Sequence, residues 1–197
     1  MDKLIFATNN LNKVTEVRKV LGNLFDIISL EEAGIDIDIP EPHDTLRANA
    51  TEKSITIFHL TKKNCFSEDS GLEVNALYGE PGVRSARYAG KGSSAEDNIK
   101  KLLRHMEDEE DKAARFRTVI SLILDGSEHF FEGTCEGKII AEQRGLNGFG
   151  YDPIFIPDGS DKTFAEMDMD EKNKFSHRKK AMTKLIDFLK INRADIL

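Results

Sequence analysis

The order of apolar patterns along the sequence is that of an α/β protein, and three observations carry the assignment. Residues 3–8 and 25–30 are short apolar runs bounded by polar residues, as buried strands require. Helical patterns alternate with them. The first sets Val14, Val17, Val20 and Leu21 on one side, and another covers about residues 45–61. Residues 114–124 (ARFRTVISLIL) give the strongest β pattern, and Asp125-Gly126 turns it into 129–134 as an antiparallel hairpin.

Each element carries its own signals. The first strand runs into Asn9-Asn10-Leu11-Asn12-Lys13, a polar loop at the start of a helix that Gly22 stops. A strand, a loop and a helix N-terminus form an anion site through free backbone amides, and Thr8, Asn10 and Lys13 add a hydroxyl, an amide and an ammonium. The loop lacks Walker glycines, and its asparagines are equally ordinary capping residues. After the second strand, residues 31–44 are acidic, and Pro40 and Pro42 stiffen the chain on both sides of Glu41. Asp44 is the expected cap of the 45–61 helix, with Leu46, Ala50, Ile57, Phe58 and Leu60 as core contacts. Asn49 and Lys53 lie four apart and share a face of that helix, although a lone lysine on a helix usually faces solvent.

Cys65-Phe66-Ser67-Glu68-Asp69-Ser70-Gly71-Leu72 is the most chemically loaded stretch. It reads as an apolar strand ending in two carboxylates, followed by a second strand in which Leu72, Val74 and Ala76 alternate with polar residues. Carboxylates at a strand tip suit magnesium or general-base chemistry, while Asp-Ser-Gly is also common turn chemistry. Residues 78–82 form a turn, and Arg84, Arg87 and Tyr88 occupy a small-residue loop suited to a phosphate or a partner subunit. Ser93 or Ser94 caps a helix through Ile99, Leu102, Leu103 and Met106, and residues 107–112 form a charged connection. The glycine-rich loop 144–153 brings Phe149, Gly150, Tyr151 and Asp152 together, where backbone can approach a ligand and a ring can stack. Residues 154–156 resume a strand. The final helix, capped by Ser176, turns Ala181, Leu185, Phe188 and Leu189 inward. Lys172, Lys174, His177 and Arg178 crowd its start, against the preference of the helix dipole, which a bound anion would explain.

Composition narrows the function classes. With 197 residues, 39% hydrophobic and 32% charged, the chain is an ordinary globular protein expected to form one domain over 1–197. A formal charge of −7 argues against nucleic-acid backbone binding, which needs a dominant basic face. The two cysteines, Cys65 and Cys135, have no paired or metal spacing, which points to a reducing, cytoplasmic setting. No apolar run reaches membrane-spanning length, so no membrane partner is expected.

Six blocks in register then match one pattern. They are Thr8-Asn9-Asn10-Leu11-Asn12-Lys13, Asn49-Ala50 with Lys53, Glu68-Asp69-Ser70-Gly71-Leu72, Pro81-Gly82 with residues 85–90, Gly148-Phe149-Gly150-Tyr151-Asp152-Pro153, and Ser176-His177-Arg178. Over about residues 3–189 the chain resembles the inosine triphosphate pyrophosphatase family, also called the Ham1 family. The resemblance implies an α/β fold with a long mixed sheet flanked by helices, two lobes around a substrate cleft, and a homodimer. It also implies a Mg2+-dependent enzyme that splits ITP, dITP or XTP into monophosphate and pyrophosphate. Carried over by position, Thr8, Asn9, Asn10, Leu11, Asn12 and Lys13 would hold the phosphates, with Lys53 nearby. Asp69 would be general base and magnesium ligand, with Glu41 and Glu68 as further acidic contributors. Ser70 would contact substrate, Phe149, Gly150, Tyr151 and Asp152 would hold base and sugar, and Lys172, His177 and Arg178 would approach the purine. Asn9 stands where glycine is frequent and Glu68 where aspartate is frequent.

The residues suit that chemistry on their own terms. Phosphoryl and nucleotidyl transfer need alignment and charge neutralisation, for which the chain has lysines, amide-rich loops and clustered carboxylates. Hypoxanthine and xanthine present a 6-oxo acceptor where adenine presents a donor. Donors such as His177 and Arg178 would favour the former, and unpaired buried groups discriminate by ~10⁴. Three other readings compete: a Maf-type pyrophosphatase for other bases, a nucleotide sensor without turnover, and a nucleic-acid-binding module.

Overall fold

The structure is a computed structural model that describes residues 3–21 and 25–194. Among them, six strands form one sheet in the order β2-β1-β3-β4-β5-β6. The strands are β1 (Lys3–Phe6), β2 (Asp26–Ser29), β3 (Cys65–Val74), β4 (Ala113–Leu124), β5 (Ser127–Ile139) and β6 (Phe155–Pro157). The helices are α1 (Leu11–Leu21), α2 (Leu46–Thr61), α3 (Ala95–His105), α4 (Met169–Phe175) and α5 (His177–Ala194). β1 runs parallel to β2 on one side and to β3 on the other, with Phe6 opposite Ser29 and Phe66. β5 and β6 pair antiparallel, so the sheet is mixed. β4 and β5 meet through Asp125 and Gly126, both at positive φ (49° and 80°), the twist a two-residue hairpin requires.

The chain divides into two compact units. The first comprises Met1–Asp69, Thr118–Gly133 and Arg178–Leu197, the second Ser70–Arg117 and Thr134–His177. In the first unit the sheet has a core on each face, because successive strand residues point to opposite sides. Leu4, Phe6, Phe66, Ile120 and Leu122 pack with Val14 and Val17 of α1 and with Ala181, Leu185 and Leu189 of α5. Ile5, Ala7, Cys65 and Ile123 pack instead with Ile57 of α2. In the second unit, Leu72, Val74, Phe116 and Ile139 pack with Ile99 and Leu102 of α3 and with Tyr151, Phe155 and Phe164.

Several sequence expectations are corrected here. Residues 65–74 form one continuous strand, with Glu68 and Asp69 in its middle rather than at a tip, and Ala76 lies in the short 3-10 turn Asn75–Leu77. Gly71 permits that continuity, since a Cβ there would lie 2.3 Å from the Gly82 carbonyl oxygen. The cap of α2 is Thr45, whose hydroxyl accepts the Ala48 N–H, because Thr45 rather than Asp44 holds the extended backbone just before the helix. Leu60 is 61% exposed rather than a core contact, at the C-terminal end of α2. Ser94 caps α3 with a full capping box through Asp97. Lys172 and Lys174 belong to the separate helix α4, itself capped by Asp168. Gly22, expected to stop α1, and the side chains of Val20 and Leu21 lie outside the described residues.

Candidate active site

Topology brings the candidate residues of the first unit together. The crossover through α1 carries the chain from β1 to β2, and the one through α2 carries it back past β1 to β3. The strand order therefore reverses at β1, and open α/β sheets place ligands where such a reversal parts the loops. Here it sets the loop after β1, residues 7–10, beside Glu68 and Asp69 of the parallel neighbour β3.

Asp69 faces α2. Its Oδ1 lies 3.4 Å from Lys53 Nζ and its Oδ2 accepts from Asn49 Nδ2 at 3.3 Å. Lys53 also donates to Glu41 Oε1 at 2.6 Å, so one ammonium joins two carboxylates. The solvent-facing reading of Lys53 fails: the residue is 8% exposed. Burial pushes the Asp69 carboxyl above its ordinary value, and neighbouring Glu41 adds to that against the pull of Lys53. Burial would lower Lys53, but the two carboxylates outweigh it and hold its ammonium charged.

Glu68 faces α1 and α5. Both its oxygens accept from Arg178 Nε at 2.9 Å, Lys13 Nζ lies 3.2 Å away, and Arg178 also donates through Nη1 to Glu16. Burial works against the charge of Glu68, but Arg178 and Lys13 prevail and keep its carboxyl below the ordinary value. Desolvation lowers Lys13, with Lys53 and Arg178 acting in the same direction. The Glu68 carboxylate opposes that lowering, and a phosphate placed beside Lys13 would favour its charged form in the same way.

The loop after β1 is built by its own side chains. Asn10 Oδ1 accepts the amides of Asn12 (3.0 Å) and Lys13 (3.3 Å), capping α1, and Thr8 Oγ1 accepts the amide of Asn10 (3.2 Å). The expected anion site of free helix amides is thus partly occupied by Asn10. Asn9 Nδ2 ties the loop to the Ile37 carbonyl at 3.0 Å. Asn9 and Leu11 line a cavity of about 510 Å³ with Ser29, Glu31 and Asp36.

The second unit holds the aromatic set. Asp152 Oδ2 accepts the Phe149 amide at 2.9 Å and the Lys172 ammonium at 2.8 Å. Gly148 is required beneath it, since a Cβ there would meet that oxygen at 2.0 Å. Lys172 Nζ stands 5.2 Å from the Phe149 ring centre and 5.3 Å from that of Phe164. His177 stacks on Phe116 with ring centres 4.9 Å apart. Tyr151 is buried and spends its hydroxyl on the Ser85 carbonyl at 2.9 Å, and burial raises that phenol well above its ordinary value. Ser70 is half-buried in β3, and Gly150 takes a positive φ of 62° in the loop.

Sequence reasoning missed Glu16, Phe116 and Phe164. Glu16 had one usable signal, its position three residues after Lys13 on the same helical face. Among the described residues no group of three or more His, Cys, Asp or Glu side chains forms a ready-made metal cage.

The Ham1 family profile matches residues 4–188. A dITP/XTP pyrophosphatase of Porphyromonas gingivalis is 50% identical over 190 residues, covering 96% of this chain and 98% of that protein. One from Flavobacterium johnsoniae is 47% identical over 187 residues, covering 95% and 97%. Among solved structures, the Ham1 protein of Staphylococcus aureus is 38% identical with a TM-score of 0.88, covering 97% of this chain and 100% of that one. A Ham1 protein from Coxiella burnetii is 37% identical with a TM-score of 0.89, covering 96% and 99%. The chain belongs to the Ham1 family.

Proposed function

We propose that this protein hydrolyses deaminated purine nucleoside triphosphates (ITP, dITP, XTP and dXTP) to the monophosphate and pyrophosphate. It does so with Mg2+, as a homodimer in the cytoplasm, and so clears these nucleotides from the pool. The observation that carries the reading is Asp69, a buried carboxyl raised towards neutrality and held by Lys53 and Asn49 beside the loop after β1. The names of the relatives, dITP/XTP pyrophosphatase, support the choice of substrate.

Asp69 takes the proton of a water as its oxygen bonds to the α-phosphorus, and the bond from that phosphorus to the bridging oxygen breaks, releasing pyrophosphate. Lys13, Lys53 and the Thr8–Lys13 loop hold the phosphates, and Ser70 contacts the substrate. Phe149, with Gly150, Tyr151 and Asp152, holds base and sugar. Lys172 and His177 offer donors to the 6-oxo group, and Arg178 adds a guanidinium fixed by Glu68 and Glu16.

The residues present fit magnesium. That ion uses one or two carboxylates and completes its shell with phosphates and water, so a protein cage is not needed. Asp69 and Glu41 around the single Lys53 carry a net charge of −1, and the raised Asp69 carboxyl is a site a cation would relieve. Asp69 and Glu41 would hold the ion, which supplies charge neutralisation to the phosphates. Glu68 serves the same centre by fixing Lys13 and Arg178.

The test is pyrophosphate release from dITP, XTP, dATP, dGTP and dTTP, each with magnesium and with EDTA. Magnesium-dependent release confined to dITP and XTP is the expected result. Release chiefly from dTTP would favour a Maf-type enzyme. Tight dITP binding without release would favour a sensor.

A further inference from the structure

Asn49 is fully buried and spends every polar atom of its side chain on two targets. Its Oδ1 accepts the His43 N–H at 2.9 Å. Its two N–H groups go to the His43 carbonyl at 3.1 Å and to Asp69 Oδ2 at 3.3 Å. The amide orientation is fixed by this network, since the reverse would set its oxygen against two acceptors and its nitrogen against a donor. A single side chain therefore grips the backbone of the loop before α2 from both sides while touching the carboxylate on β3.

The gripped residue matters because of where it lies. His43 is two residues after Glu41, and Pro42 between them removes most of the freedom in φ. Anchoring His43 thus limits where Glu41 can go. Lys53, one turn further along the same face of α2, joins Glu41 and Asp69 through charge. Such a link is redistributed whenever a phosphate or cation arrives. The amide of Asn49 is neutral, and its two bonds to the His43 backbone involve no charged group. The helix that carries it is itself fixed to the sheet. Ser67 donates to the Ala50 carbonyl, Ser54 and Ser121 hydroxyls meet at 2.6 Å, and Thr51 donates to Glu128 at 2.7 Å.

We propose that Asn49 is a positioning residue that docks the Glu41 segment onto Asp69, so that the two carboxylates are presented together to a divalent cation. The inference rests on the reading above, in which those carboxylates hold the metal.

The experiment uses Mn2+ as a probe of the nucleotide-free protein, with its binding read by electron paramagnetic resonance. The variants are Asn49→Ala and Asn49→Leu, with Glu41→Gln and Asp69→Asn as controls and a thermal melt confirming that each is folded. Partners behind a metal ligand usually govern affinity about 10- to 100-fold, and weakening of that order is expected in both Asn49 variants. The His43 amide, followed by hydrogen exchange, is expected to lose protection in both. Asn49→Leu keeps the branched shape and the heavy-atom count without the hydrogen bonds, so unchanged Mn2+ affinity in that variant would show a packing role and overturn the proposal. Weakened controls with wild-type affinity in both Asn49 variants would overturn it as well, leaving the metal reading intact. Wild-type Mn2+ affinity in both controls would instead overturn the metal reading, and this inference with it.

Discussion

Glu68 and Asp69 are neighbours in β3 with opposite surroundings and oppositely shifted acidities. Glu68 meets Arg178 and Lys13 on the side of α1 and α5, whereas Asp69 meets Asn49 and Lys53 on the side of α2. The alternation of a strand makes this division unavoidable. One carboxylate is neutralised by two cations and stays charged, and the other shares a cation and is pushed towards protonation. The first has the character of a structural anchor and the second that of a base.

The anchor predicts a stability loss. Arg178→Ala leaves Glu68 with Lys13 alone and takes the guanidinium from Glu16, and breaking a buried pair on one side costs about 3–5 kcal/mol. Urea denaturation at neutral pH should show a loss of that order. A change below about 0.5 kcal/mol, the range of an ordinary surface substitution, would contradict it.

The same pair predicts a direction with pH. The Glu68 carboxyl lies below its ordinary value of 4.5 in the fold, so its contribution is fully present above that pH. It is lost as pH falls through the lower, folded-state value. Replacing Glu68 with Gln should therefore lower the melting temperature at pH 7 and make little difference in strong acid. An equal deficit at both would rule out the ionic origin.

Asp69 predicts a shifted titration. Burial raises its carboxyl above the ordinary 3.8 in the metal-free protein. Followed by carbon-13 NMR without magnesium, Asp69 should titrate above that value, and added magnesium should lower its midpoint. A midpoint at or below 3.8 in the metal-free protein would contradict the assignment.

The aromatic set predicts a binding effect. Stacking a base on an aromatic ring is worth about 1–3 kcal/mol by alanine substitution. Phe149→Ala should weaken dITP binding by that amount, seen in calorimetry, with the fold retained because Asp152 still meets Lys172. Unchanged affinity would remove Phe149 from base recognition.

Much of this was legible in the sequence, for local reasons. Residues 114–124 and the Asp125-Gly126 turn carried their own hairpin signal, and the Ser94 cap and the α2 pattern were equally local. Strand β3 was broken in two by reading Asp-Ser-Gly as a turn, because only the close pass of Gly82 over Gly71 explains a glycine inside a strand. The burial of Lys53 was invisible, since it depends on Asp69 arriving from sixteen residues away. Arg178 was placed at the purine by resemblance, and its grip on Glu68 and Glu16 spans 110 and 162 residues that no local pattern connects.

The most direct test of the account is turnover of dITP by Asp69→Asn under saturating magnesium, with dITP affinity and the far-ultraviolet spectrum measured on the same sample. General-base catalysis contributes about 10²- to 10⁴-fold, so turnover should fall within that range while the protein stays folded and binds nucleotide. Near-wild-type turnover in a folded variant would contradict the assignment of Asp69 as the base.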